Sequence, residues 1–229
     1  MPSAAGLSAR GRSSFDWNRV RPEHWARLRP EVVDETLRDG LQSPSALQPS
    51  LEDKLAVLHG AASIGVDAFS VGLPAARGRM ADDAIVLARE IAKERLPLRG
   101  TAAGRTTAED VQAIADVSQR AGICLEVYAF IGSSPIRRLV EGWSVELIRE
   151  RVRAAGEAAR RAGLPFCLVT EDTTRTPPDV LADLFAVAID VGATRLCLCD
   201  TVGHSDPQGV RALVGFTQRT LAALGAPHV

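Results

Sequence analysis

Residues 166–204 read FCLVTEDTTRTPPDVLADLFAVAIDVGATRLCLCDTVGH. An apolar run, Phe166–Thr170, gives way to a polar turn, Glu171-Asp172-Thr173-Thr174-Arg175. A helical stretch follows over Pro178–Val191, with proline at its start, where a missing N–H does no harm. Gly192 closes it, and a second apolar run, Arg195–Cys199, ends in another polar turn, Asp200-Thr201-Val202-Gly203-His204. Strand, helix and strand, with hydrogen-bonding residues gathered just after each strand, form one repeat of a parallel β/α arrangement.

The same rhythm extends in both directions. Upstream, strands are expected at Glu31–Thr36, Ala68–Gly72, Leu96–Thr101 and Ile123–Ile131. Helices are expected at Leu51–Ile64, Met80–Glu94, Ala108–Arg120 and Val145–Ala162, with Gly65, Gly122 and Gly163 as C-terminal stops. Downstream, Pro207–Leu224 is a sixth helix, and a seventh strand is expected to begin where the sequence reaches Val229. Two architectures fit: an open doubly wound sheet, or a (β/α)8 barrel of the TIM type. No GxGxxG follows the first strand, which counts against a dinucleotide-binding sheet. Polar residues follow strand after strand: Arg38 and Asp39, Arg105, Ser133 and Ser134, Glu171 and Asp172, Asp200 and Thr201. A barrel builds its active site from such positions. The expected fold is therefore α/β, an incomplete TIM-type barrel of about six βα units. Residues 1–30 are expected to be a partly disordered leader and residues 31–229 the partial catalytic barrel.

Composition narrows the partners. A formal net charge of −1 provides no basic field for nucleic acid or an anionic membrane. No run of 18 apolar residues exists to span a bilayer. Cys124, Cys167, Cys197 and Cys199 include no CxxC pair, so they are expected to be reduced, buried thiols in a cytoplasmic protein.

The densest polar cluster is Asp34-Glu35-Thr36-Leu37-Arg38-Asp39-Gly40-Leu41-Gln42, with three carboxylates and an arginine at a strand end. It can be a solvated turn. It can equally hold a divalent ion on a carboxylate and stabilise an anionic substrate with the arginine. Glu171 is placed to serve as a general base, although the acidic turn around it can also cap the next helix. Thr201 can hydrogen-bond a carboxylate or simply form a turn. Ser133 and Ser134 read as a turn able to touch substrate. Tyr128, the single tyrosine, lies on a strand and suits core packing. Of the four histidines only His204 lies near a strand end; His24, His59 and His228 do not.

These motifs together resemble a known family. DETLRDGLQSPS, residues 34–45, is similar to the first signature of the DRE-TIM metallolyases, D-x-T-L-R-D-G-x-Q-S. That family includes 2-isopropylmalate synthase, homocitrate synthase and HMG-CoA lyase types. Gly72-Leu73-Pro74 resembles its G-F-P, and Phe130–Ile136 (FIGSSPI) resembles the F-I-x-T-S-P-I of isopropylmalate synthases. Glu171-Asp172 with Arg175 looks like E-D-x-x-R, and Asp200–Gly203 with Pro207 like D-T-V-G-x-x-x-P.

The resemblance implies a metal-dependent acyltransferase that condenses acetyl-CoA with a 2-oxo acid. It also implies Asp39 as a ligand to Mg, Mn or Zn, and Arg38 and Glu171 as catalytic residues. Thr201, Gln42, Arg105, Ser134 and Tyr128 are the implied substrate contacts. Members often dimerise, so a second copy joins the 2-oxo acid and acyl-CoA as an implied partner. Three departures stand out. The H-x-H of the family's seventh strand is not reached, and His228 is not followed by x-H. Ser70 stands where the family commonly has glutamate, and Tyr128 where synthases often carry histidine. Arg38–Gln42 (RDGLQ) also resembles the lyase signature, which keeps C–C cleavage as the alternative reaction. An inactive fragment with an open, oligomer-prone barrel is the third reading.

Overall fold

In the computed structural model, which describes residues 30–43, 47–76 and 78–229, six parallel strands pair in the order in which they occur along the chain. They are β1 (Val33–Asp34), β2 (Ala68–Ser70), β3 (Arg99–Arg105), β4 (Glu126–Gly132), β5 (Phe166–Glu171) and β6 (Arg195–Leu198). Helices α1 (Leu51–Ser63), α2 (Arg79–Lys93) and α3 (Ala108–Ala121) follow β1, β2 and β3. After β4 come α4 (Pro135–Glu141) and α5 (Val145–Arg161), after β5 comes α6 (Pro178–Asp190), and after β6 comes α7 (Pro207–Ala223). The order β1-β2-β3-β4-β5-β6 contains no reversal, whereas a doubly wound sheet reverses its order at a switch point. The expected leader, with His24, lies outside the described residues apart from Pro30.

The sheet curls. Glu31, just before β1, has its carboxylate 3.4 Å from Arg195 of β6 and 3.1 Å from Arg99 of β3. In a flat sheet five strand spacings would hold β1 and β6 about 24 Å apart. Glu126 of β4, only 3% exposed at its side chain, accepts from the Nε of Arg99 at 3.0 Å and of Arg195 at 3.3 Å. Two arginines and two glutamates thus stitch β1, β3, β4 and β6 together at the N-terminal end of the curl. Above them Val33, Tyr128, Cys167, Val169 and Cys197 pack toward one another from four strands. The alternate residues Val127, Ala129, Ile131, Phe166 and Leu168 face the helices and join the main core. This two-residue alternation separates an inner from an outer face, and together with the strand order it makes the chain six units of a (β/α)8 barrel.

Local signals fix where the helices begin and end. Ser50 and Asp53 form a reciprocal capping box on α1, while Ser144 and Asp206 cap α5 and α7 through side-chain oxygens. Gly122 closes α3 in the left-handed conformation.

Four expectations need correcting. The third strand spans Arg99–Arg105, later than Leu96–Thr101, because Pro97 offers no N–H and Leu98 turns back to bond the Leu96 carbonyl at 2.7 Å. Its continuation, Ala102-Ala103-Gly104, is too small to have read as an apolar run. Residues 135–141, where no helix was expected and only Pro135 was read as part of a turn, form α4, opened by Ser134 and Pro135. The last residues do not begin a seventh strand; they turn, with Val229 N–H bonded to the Ala226 carbonyl. Of the four cysteines expected to be buried, only Cys167 is; Cys124 is exposed, and Cys197 and Cys199 are half-buried. No helix among the described residues is long and apolar enough to cross a membrane.

Candidate active site

Because all six strands run parallel, their C-terminal ends share one rim. Arg38, Asp39, Arg105, Ser134, Glu171 and Thr201 all lie there. The structure gives each of them a specific setting.

After β1 the chain winds round one carbonyl: the N–H groups of Arg38, Asp39 and Gly40 all donate to the Glu35 oxygen, at 3.1, 2.8 and 3.2 Å. Leu37 pins this turn by inserting into the core. The Arg38 side chain is then gripped from two sides. Its Nε donates to Glu35 Oε2 at 2.5 Å and its Nη1 to Asp39 Oδ1 at 3.2 Å. Arg38 is 21% exposed at its side chain and Asp39 is 68% exposed. Glu35 follows Glu31 and Val33 at two-residue spacing, so it points into the barrel, toward the buried Ser70, whose hydroxyl acts to lower its carboxyl. Burial pushes the Glu35 carboxyl above its ordinary value, and the Arg38 charge pulls part of that shift back. Glu35 was not singled out from the sequence; the odd-numbered alternation 31, 33, 35 is the signal that points to it.

The loops after β4, β5 and β6 are tied to one another. Asp172 adopts a left-handed backbone (φ 56°) and clamps Arg175 with two bonds of 2.7 Å. Its N–H donates to Thr201 Oγ1 at 2.8 Å, which couples the β5 and β6 loops. Thr174 donates to Asp200 at 2.9 Å, and the N–H groups of His204 and Ser205 add two bonds of 3.0 Å. Burial alone would raise the Asp200 carboxyl, but these donors outweigh it and hold it below the usual range. Thr176 donates to the Asp172 carbonyl at 3.0 Å and meets the Ser133 hydroxyl at 3.2 Å, which joins the β4 loop to the same frame.

Glu171, the last residue of β5, faces Arg137 of α4 across 3.6 Å. Gly132 makes room for that arginine, since a Cβ there would come within 2.5 Å of Arg137 Cγ. Ser134 is fully buried, and its oxygen caps α4 by accepting from Arg137 N–H at 3.2 Å. Arg105 is turned to the start of α3, where it donates to Asp110 from Nε at 3.0 Å and Nη2 at 2.8 Å. Gln42 is exposed in the short 3-10 turn Gly40–Gln42. Tyr128 is not at the rim. It lies inside the barrel, two residues before Phe130, and its buried hydroxyl makes no hydrogen bond. Burial raises its phenol far above the ordinary range. The structure therefore joins Arg38 with Asp39, and Thr201 with the residue after Glu171, while Arg105, Ser134 and Tyr128 are held in separate settings.

A divalent ion needs several hard donors converging on one point. Among the described residues no group of three His, Cys, Asp or Glu side chains converges in that way. Asp39 contributes one carboxylate, with one oxygen facing Arg38.

A family model described as HMGL-like matches residues 29–228. A 2-isopropylmalate synthase of Xylella fastidiosa is 31% identical over 199 residues, which cover 86% of this chain and 37% of that protein. A protein of Methanopyrus kandleri provisionally named an (R)-citramalate synthase is 33% identical over 181 residues, covering 78% of this chain and 33% of its own length. The chain therefore spans about a third of the length of these relatives. In the solved structure of the HMG-CoA lyase from Brucella melitensis the same fold recurs, with a TM-score of 0.62 and 21% identity over 83% of this chain and 68% of that one.

Proposed function

The chain belongs to the HMGL-like family, and on that premise we propose that it carries part of the active site for a Claisen-type condensation of acetyl-CoA with a 2-oxo acid. The observation that carries this reading is the Arg38 guanidinium, fixed between Glu35 and Asp39 at the rim. A cation held in place before the reaction begins can stabilise negative charge on an enolate or keto oxygen without reorganising. Glu171, at the end of β5 beside Arg137, is the group that takes or returns the proton of the acetyl methyl. Thr201 accepts from the Asp172 N–H, which leaves its own O–H to donate to the oxo-acid carboxylate. Gln42 and Arg105 lie at the same end of the sheet, Ser134 is buried there as the cap of α4, and Tyr128 lies in the interior beneath, so their contacts with substrate rest on the family resemblance alone. A divalent ion would supply Lewis acidity at the 2-oxo group, with Asp39 as one ligand. The described residues do not complete its sphere. The names of the curated relatives support synthesis rather than cleavage.

The test is thiol release by the full-length protein. Acetyl-CoA is supplied with 2-oxo acids of increasing size, from pyruvate to 2-oxoisovalerate and 2-oxoglutarate, and free CoA is followed with a thiol reagent. Release that depends on one oxo acid is the expected result. No release with any of them, together with cleavage of a 3-hydroxyacyl-CoA, would replace the synthase reading with a lyase.

A further inference from the structure

Cys197 lies on β6 and Cys199 just beyond its end, two residues apart along the inner face, and their sulfurs lie 3.8 Å from each other. We infer that this pair is a reversible oxidation site, in which hydroperoxides convert the two thiols into a Cys197–Cys199 disulfide beside the Arg38 end of the rim.

Several observations point the same way. Both thiols are half-buried in this chain, whereas their neighbour Cys167 is fully buried. Burial raises both thiols and the Glu35 carboxylate raises that of Cys197, while the positive charge of Arg38 acts on both sulfurs in the opposite direction. The two sulfurs share a hydrogen bond, which pulls the Cys197 thiol below its ordinary value, while the same contact and burial push that of Cys199 above it. With the sulfurs 3.8 Å apart, Cys197 serves as the nucleophile and Cys199 as the resolving thiol. The Cys197 thiolate attacks one oxygen of the hydroperoxide, breaking the O–O bond and releasing hydroxide or alkoxide, which takes up a proton. The resulting sulfenic acid is then attacked by the sulfur of Cys199, and water leaves with the Cys199 proton. Each sulfur has lost one electron, and the peroxide has taken up both.

Geometry makes the product labile. Two residues along a strand span about 6.6 Å, near the upper limit for a disulfide. Cys199 lies just beyond the last residue of β6, where its N–H bonds Thr170 O at 3.2 Å and Thr173 Oγ1 at 2.9 Å. Closing the bridge pulls on that anchorage, and a strained bridge is readily reduced again. The same movement reaches Asp200 and Thr201, the next two residues of the rim.

The experiment treats the full-length protein with hydrogen peroxide, blocks remaining thiols with N-ethylmaleimide and digests it with trypsin. The peptide of residues 196–211 is expected to be two hydrogens lighter and unalkylated, with the mass restored by dithiothreitol. Cys167→Ser should keep this signal and Cys199→Ser should lose it. In Cys199→Ser, dimedone should trap a sulfenic acid at Cys197. Alkylation of both thiols after peroxide, a sulfinic acid at either without loss of two hydrogens, or a bridge to Cys167 or Cys124 would each overturn the proposal. All of these readouts are masses, so they stand whether or not the condensation reading holds.

Discussion

Arg38 shows how much one side chain depends on its neighbours. Its Nε and Nη1 are each taken by a carboxylate, Glu35 from within the barrel and Asp39 from its mouth. The RDG motif and its position after a strand were legible in the sequence. Glu35 was not, because a glutamate between a strand and a turn reads as solvated until the strand's parity turns it inward. Burial raises the Glu35 carboxyl above 4.5, so the folded state favours its protonated form more than the unfolded chain does. The corresponding stability is present at low pH and is lost as pH rises through the folded value. Melting temperatures of the parent and Glu35→Gln, followed upward from about pH 4, should therefore diverge in slope, with the parent losing stability that the glutamine variant does not. Parallel curves would contradict the placement of Glu35.

At the scale of elements, α3 and α5 give opposite lessons. Thr107 caps α3, while Asp110, in its first turn, accepts from Arg105 N–H at 2.8 Å and from the Arg105 guanidinium. The sequence put Arg105 among the polar residues at strand ends, but pairing with a residue five positions later is invisible to a motif. Burial raises the Asp110 carboxyl, and the Arg105 hydrogen bonds more than reverse this, leaving it below 3.8. Asp110→Asn should cost about 1–3 kcal/mol at neutral pH. That difference should vanish as pH falls through the folded value, as read by urea unfolding at both ends of the range. In α5, Gly156 looks like a weak point in a helix, and alanine there would gain about 1 kcal/mol of helix propensity. A Cβ at that position, however, would meet Val191 Cγ2 at 2.2 Å and Val191 Cβ at 2.8 Å. Overpacking of that kind costs about 1–3 kcal/mol, so Gly156→Ala should lower rather than raise the melting temperature.

For the whole molecule, the alternation of strands and helices and the polar strand ends were enough to read a barrel-type fold. The curl itself was not legible, because it rests on contacts such as Glu31 with Arg195, 164 residues apart in the numbering of the chain. Glu126 is the centre of that floor, and Glu126→Ala would leave Arg99 and Arg195 without their shared buried partner. A loss of about 3 kcal/mol is expected, measurable by denaturant unfolding. The floor carries the rim, and the rim carries the proposed chemistry, which makes Arg38 the most direct point of test. With acetyl-CoA and the preferred 2-oxo acid, Arg38→Gln in the full-length protein should fold with an unchanged circular dichroism spectrum and lose about 100-fold or more in kcat. A folded Arg38→Gln protein that releases CoA as fast as the parent would contradict the account.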